Sequence, residues 1–162
     1  YSEAQKVTAM LLQKKPGLVL FRFLQAQIAS KQGQHEQALK LYSEIYETDK
    51  SSLAAITYYA QELAQRQKFA EVRKVLRRAV RKHTNSVEFF EMLSHAESEL
   101  GSQMESHRAL SEAYALLGSY QSAVQQLNIA RTLASKDDFY VQASITARIK
   151  ELEGLLALEK QK

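Results

Sequence analysis

The chain has no cysteine among its 162 residues, which excludes disulfides, thiolate zinc sites and cysteine nucleophiles. That absence suits a reducing or an oxidising compartment equally. Proline occurs once, at Pro16, and glycine only five times. Strong helix formers such as Ala, Leu, Gln, Glu, Lys and Arg fill the sequence instead, so the chain reads as all-α. No apolar run approaches the roughly 20 residues that span a bilayer, and no signal-like segment is present. The sequence starts at Tyr1 without a methionine, which reads as an excised piece whose targeting address has been cut away.

Enzyme signatures are missing as well. The stretch "GQHEQALKLY", Gly33 to Tyr42, opens like the HExxH of zinc proteases, in which two histidines one helical turn apart ligate the metal. The second histidine position is Leu39 here, and leucine offers no ligand. There is no glycine-rich phosphate loop and no GxSxG elbow. No catalytic residue, cofactor or metal is expected in this chain.

Hydrophobic residues make up 45% of the sequence, enough to bury a core. The formal net charge of +4 is modest but unevenly spread. Arg66, Lys68, Arg73, Lys74, Arg77, Arg78, Arg81 and Lys82 stand against the single Glu71, and the segment from Glu88 to Glu112 reverses the sign.

An internal period organises the chain. Tyr1, His35, Phe69 and Gln103 fall in one column, each 34 residues after the last. Three positions on, the column reads Ala4, Ala38, Val72, Ser106; seven further on it reads Leu11, Ile45, Ala79, Ala113. Small or apolar residues at fixed crossings let two antiparallel helices approach, and stacked pairs bury a continuous core. This period and pattern are those of the tetratricopeptide repeat. Pro16 occupies the repeat's terminal proline column, where later repeats have Lys50 and Thr84. His35 shares its column with Tyr1 and Phe69, so it is expected to pack as a flat, partly apolar ring at the start of a helix.

The expected fold is an all-α, right-handed α-α superhelix (a tetratricopeptide solenoid) of about nine antiparallel helices with a long C-terminal capping helix. Periodicity and caps place the helices over 2–14, 18–31, 35–48, 52–66, 69–82, 86–100, 103–117, 120–134 and 138–159. Residues 1–16 form helix B of a leading repeat, followed by repeats 17–50, 51–84 and 85–118, a half repeat 119–136 and a capping helix 137–162. The half repeat arises because Ala123 follows Ser106 by 17 residues, half a period, so that one helix would serve two repeats. Gly33, Gly101 and Gly118 stand where left-handed cap residues are wanted. Ser51 and Ser86 stand as N-caps, and Ser119 precedes the next helix.

From about Ser102 the sequence has a narrower likeness. The run "SEAYALLGSYQSAVQQLNIARTLASKDDFYVQASITARIKELEGLL" resembles the C-terminal end of the periplasmic zinc metalloproteases of the β-barrel assembly-enhancing type, peptidase family M48. Gly118, Ala123, Leu127, Ala130, Ala147 and Arg148 carry most of the match, with "TARIKEL", Thr146 to Leu152, in place of a "DARIKEL"-like helix. The resemblance implies a periplasmic, partner-binding tetratricopeptide module attached to a protease domain that this sequence lacks. Zinc would belong to that domain. Unfolded outer-membrane proteins or the barrel-assembly machinery are the implied partners, with peripheral contact at the outer membrane. The rival readings are a stand-alone scaffold or secretion chaperone, and a basic binder of nucleic acid or membrane surfaces.

In stacked repeats the first helix of each pair lines the groove. By column, the groove would present Leu20, Phe23, Gln27 and Lys31, then Thr57, Gln61 and Gln65, then Glu88, Glu91, His95 and Glu99. Gln27, Gln61 and His95 stand where a carboxylate clamp would want asparagine, which argues against a clamp-type co-chaperone. Glu91, His95 and Glu99 share a helix face, read either as a solvated acidic strip or as a weak metal site. Arg73, Arg77 and Arg81 form one i, i+4 row, and Lys74, Arg78 and Lys82 another. These rows fall mostly on the convex side, as a basic patch that is either a solvated face or a surface for an acidic partner. The aromatic residues used to stack nucleobases are missing around it, so no nucleic acid is expected.

Overall fold

The computed structural model describes residues 19–159 together with positions 3, 6, 7 and 10, which are helical. The rest of the helix expected over 2–14, and Pro16, lie outside the described residues. Between residues 19 and 159 the chain forms eight helices and, among the described residues, no strand. They are α1 (Val19–Lys31), α2 (His35–Thr48), α3 (Leu53–Gln65), α4 (Phe69–Lys82), α5 (Val87–Glu99), α6 (Gln103–Leu116), α7 (Tyr120–Leu133) and α8 (Phe139–Glu159). The chain divides into two compact units, Tyr1–Glu71 and Val72–Lys162.

In the first unit α1 packs on α2 and α2 on α3. Ala26, Ala38 and Ala60 have no exposed surface at all; with nothing beyond Cβ, they let helix backbones close up. Ile45, Ile56 and Leu63 fill the space between. In the second unit α4 buries Val72, Val75, Leu76 and Ala79, the i, i+3, i+4, i+7 stripe of an amphipathic helix. Successive pairs α5–α6, α6–α7 and α7–α8 pack in order. Ala123, Leu127 and Ala130 of α7 join Ile145, Ile149 and Leu152 of α8 in one apolar cluster. The small columns seen in the sequence are therefore core positions: Ala38, Val72, Ser106, Ile45, Ala79 and Ala113 are all buried.

Four helix ends share one backbone device. Gly33, Gly101 and Gly118 have φ of +74°, +74° and +73°. After α1, the Gln34 N–H donates to Ala29 O and the Gly33 N–H to Ser30 O, at 2.9 and 3.0 Å. That pairing is the Schellman motif, which satisfies carbonyls left over at a helix end. It recurs as Ser102 N–H to Glu97 O with Gly101 N–H to Ser98 O, and as Ser119 N–H to Tyr114 O with Gly118 N–H to Ala115 O. The fourth copy uses Lys68 N–H to Leu63 O and Gln67 N–H to Ala64 O. Gln67 stands in the column of Gly33 and Gly101 and adopts φ of +56° without being glycine.

The caps differ from expectation at one site. Ser86 accepts from the Phe89 N–H at 3.4 Å, as the sequence suggests. Ser51, however, is not the cap of α3. Its N–H and hydroxyl both donate to Asp49 Oδ1, at 2.9 and 2.6 Å, an Asx-type turn that leaves Ser52 to accept from the Ala55 N–H. Ser119 occupies the cap position of α7 without making a side-chain cap bond.

Candidate functional site

Each unit carries its own site. In the first, α1, α2 and α3 bring together Phe23, Tyr42 and Tyr58. The two tyrosine rings stack at 5.7 Å with planes 5° apart, and Phe23 tilts against them at 6.4 and 5.6 Å. Beside this cluster lies a cavity of about 430 Å³ whose walls include Leu24, Gln27, Lys31, Tyr58, Gln61 and Gln65. A second cavity, of about 360 Å³, shares Leu24, Gln27 and Tyr58 and extends to Leu20, Phe21 and Phe23. Together they make a trough that is apolar and aromatic at one end and rich in side-chain amides at the other.

Glu62 closes the polar end. It is 2% exposed, yet both carboxylate oxygens are held, Oε2 by the Ser30 hydroxyl at 2.9 Å and Oε1 by His35 Nδ1 at 3.0 Å. A buried carboxylate is tolerable only with such partners. His35 therefore does not pack as an apolar ring; it starts α2 as the hydrogen-bond partner of Glu62. Burial, reinforced by the Glu62 and Tyr58 neighbours, pushes the Tyr42 hydroxyl up to about 12. It stays protonated at neutral pH and can only serve as a neutral hydrogen-bonding group. The trough can thus seat an apolar side chain and exchange amide hydrogen bonds with an extended chain.

Of the expected groove residues, Phe23, Gln27, Lys31 and Gln61 line this trough, as do Leu20 and Gln65. Thr57 is half-buried on α3 and lines neither cavity. Glu91 and His95 belong to the second unit, where they are exposed on α5, with His95 Nδ1 3.9 Å from Glu99 Oε1. Tyr42, Tyr58, Ser30 and Glu62 complete the trough without having been expected. The aromatic pair had a signal, since Tyr42 and Tyr58 are large apolar residues on core-facing stripes; Glu62 had none in local periodicity.

The second unit holds a cavity of about 450 Å³ formed by α4 to α8. Its walls carry paired charges. Glu97, 1% exposed, accepts from Arg77 Nε at 2.8 Å, and Arg73 stands 3.6 Å from its other oxygen. Arg108 lies 3.3 Å from Glu105. Arg148 forks onto Glu112 at 3.0 and 2.6 Å and reaches Glu151 at 2.7 Å. Burial pulls the Arg148 guanidinium down, but the bonds to Glu112 and Glu151 hold it above its ordinary value. Of the expected basic patch, Arg77 and Arg81 line this cavity, Arg73 is tied to Glu97, and Arg78 is exposed. Among the described residues no three His, Asp or Glu side chains gather into a metal-holding group, and no helix is long and apolar enough to cross a membrane.

No family model matches the chain, and no curated protein does. Solved structures do. A crystal structure of MamA is similar with a TM-score of 0.65 at 12% identity, covering 98% of this chain and 90% of that one. MamA from Desulfovibrio magneticus is similar with a TM-score of 0.66 at 15% identity, over 94% and 85%. A thermophilic TPR protein of Thermus thermophilus is similar with a TM-score of 0.51 at 16% identity, over 91% and 88%. With its repeat of 34 residues, its paired helices and these structural likenesses, the chain has the all-α tetratricopeptide-type fold.

Proposed function

We propose that this chain is a non-catalytic protein-interaction module whose first unit seats an extended partner segment. The trough between Phe23 and Gln61 carries the reading: an aromatic floor, a ring of amides and one cation are suited to a polypeptide. In this reading the Tyr42 hydroxyl, which keeps its proton, and Glu62, which is held by Ser30 and His35, serve as fixed polar groups of the trough wall. The test is a photo-crosslinking amino acid placed at Gln61 in the intact protein. Captured partners should be lost on Tyr58→Ala, whereas the same partners captured from Lys40, which lies off the trough, would sink the assignment.

The likeness of residues 102 onward to the C-terminal part of β-barrel assembly-enhancing metalloproteases supports a more specific proposal. The module recruits or positions outer-membrane protein substrates or assembly partners for an attached periplasmic zinc protease. Arg148, among the residues that carry that likeness, anchors α8 to α6 through Glu112, so the match falls on a structural joint of the module. The complete reading frame distinguishes this from a stand-alone scaffold or secretion chaperone. An HExxH-bearing domain upstream of Tyr1 supports the protease partnership; a start codon directly before Tyr1 removes it.

A further inference from the structure

The charges around the second cavity are paired one by one except for Arg81. Arg77 is engaged by Glu97, Arg108 by Glu105, and Arg148 by Glu112 and Glu151. Arg81 lines the same cavity, is exposed, and has no ion-pair partner among the described residues. Phe90, Leu93, Leu127 and Ile145 supply an apolar floor, three of them buried in the core. On α4, Lys74, Arg78 and Lys82 are exposed but do not line the cavity.

From this combination we infer that the cavity of the second unit is a docking site for an acidic protein segment, one apolar side chain entering over Phe90 and Leu93 while its neighbouring carboxylate pairs with Arg81. The site is separate from the trough of the first unit and does not depend on it. Three engaged arginines give a rigid wall, because each guanidinium is already fixed by a carboxylate. The one unengaged guanidinium then supplies the attraction that a partner can satisfy. A lone apolar ligand would leave that cation unanswered, and a lone anion would leave the floor wet. An acidic residue next to an apolar one meets both conditions. The cavity volume lies within the range of sites that enclose a ligand group.

The probe is a short fluorescein-labelled peptide of alternating glutamate and leucine, titrated against the full chain by anisotropy at moderate salt. Binding should weaken about tenfold for Arg81→Glu, whose side chain is exposed and whose loss leaves the core intact. Arg78→Glu, which changes the net charge equally outside the cavity, should have little effect. Peptides with glutamine for glutamate or serine for leucine should each bind more weakly than the parent. Tyr58→Ala, in the other unit, should leave binding unchanged, so failure of the trough assignment does not touch this one. Equal losses from Arg78→Glu and Arg81→Glu, or undiminished binding of the serine peptide, would overturn the proposal in favour of a diffuse cationic surface. Stronger retention of a single-stranded oligonucleotide than of the peptide would overturn it too. So would loss of peptide binding on Tyr58→Ala alone.

Discussion

Arg148 on α8 holds Glu112 on α6 in a two-bond fork, Nε to Oε1 at 3.0 Å and Nη2 to Oε2 at 2.6 Å, across 36 residues of sequence. The long terminal helix is thereby tied to a helix two places earlier, in addition to its apolar seam with α7. Both side chains are about 30% exposed, so solvent screens the pair. A double-mutant cycle with Arg148→Ala and Glu112→Ala should return a coupling of about 1 kcal/mol by urea unfolding. Independent effects would show that the fork contributes nothing to holding α8.

Gln67 adopts a left-handed backbone that favours glycine, where a Cβ costs roughly 1–2 kcal/mol. Glycine gives back part of that as unfolded-state entropy. Gln67→Gly should therefore stabilise the chain by about 0.5–1 kcal/mol, read as a higher urea midpoint. Gly101→Ala should move the midpoint the other way.

Tyr42 keeps its proton to about 12 in the folded chain, against an ordinary value of 10.0. A folded-state value above the unfolded one means that the folded chain binds more protons between the two. Stability from this group is complete below pH 10 and declines as pH rises toward 12. The alkaline decline should be shallower in Tyr42→Phe than in the parent when Tm is followed across that range. Parallel curves would show that Tyr42 is not the group responsible.

Glu97 is almost wholly buried, with Arg77 as its close partner. Removing the arginine leaves a carboxylate facing only Arg73 at 3.6 Å. Arg77→Ala should cost about 1–2 kcal/mol, a buried-pair loss reduced because Arg77 itself is half-exposed. Replacing both residues together, as Arg77→Met with Glu97→Met, should cost less than Arg77→Ala alone. Chemical denaturation of the three proteins checks the order.

The sequence displays the fold through residues that repeat. Ala38, Val72 and Ser106 could be recognised as helix crossings because each recurs at a fixed interval and is small. Glycine marked three of the four turns. The fourth turn, at Gln67, was hidden because its backbone state is imposed by hydrogen bonds rather than by residue type. Half of the trough was legible by column, from Phe23, Gln27, Lys31 and Gln61. Its polar closure was not, because a glutamate on a helix reads as solvent-facing until Ser30 and His35, 32 and 27 positions away, are seen to meet it. The same holds for Glu97, whose partner lies 20 positions earlier on α4.

The Gln67 turn also bears on how such chains diverge. Its two closing bonds join main-chain atoms alone, so neither depends on the side chain that stands there. Glycine can drift away from that corner for a modest loss of stability while the path of the chain persists. A pattern that scores glycine at each corner would then find an interruption between Gly33 and Gly101 where the backbone continues its rhythm unbroken.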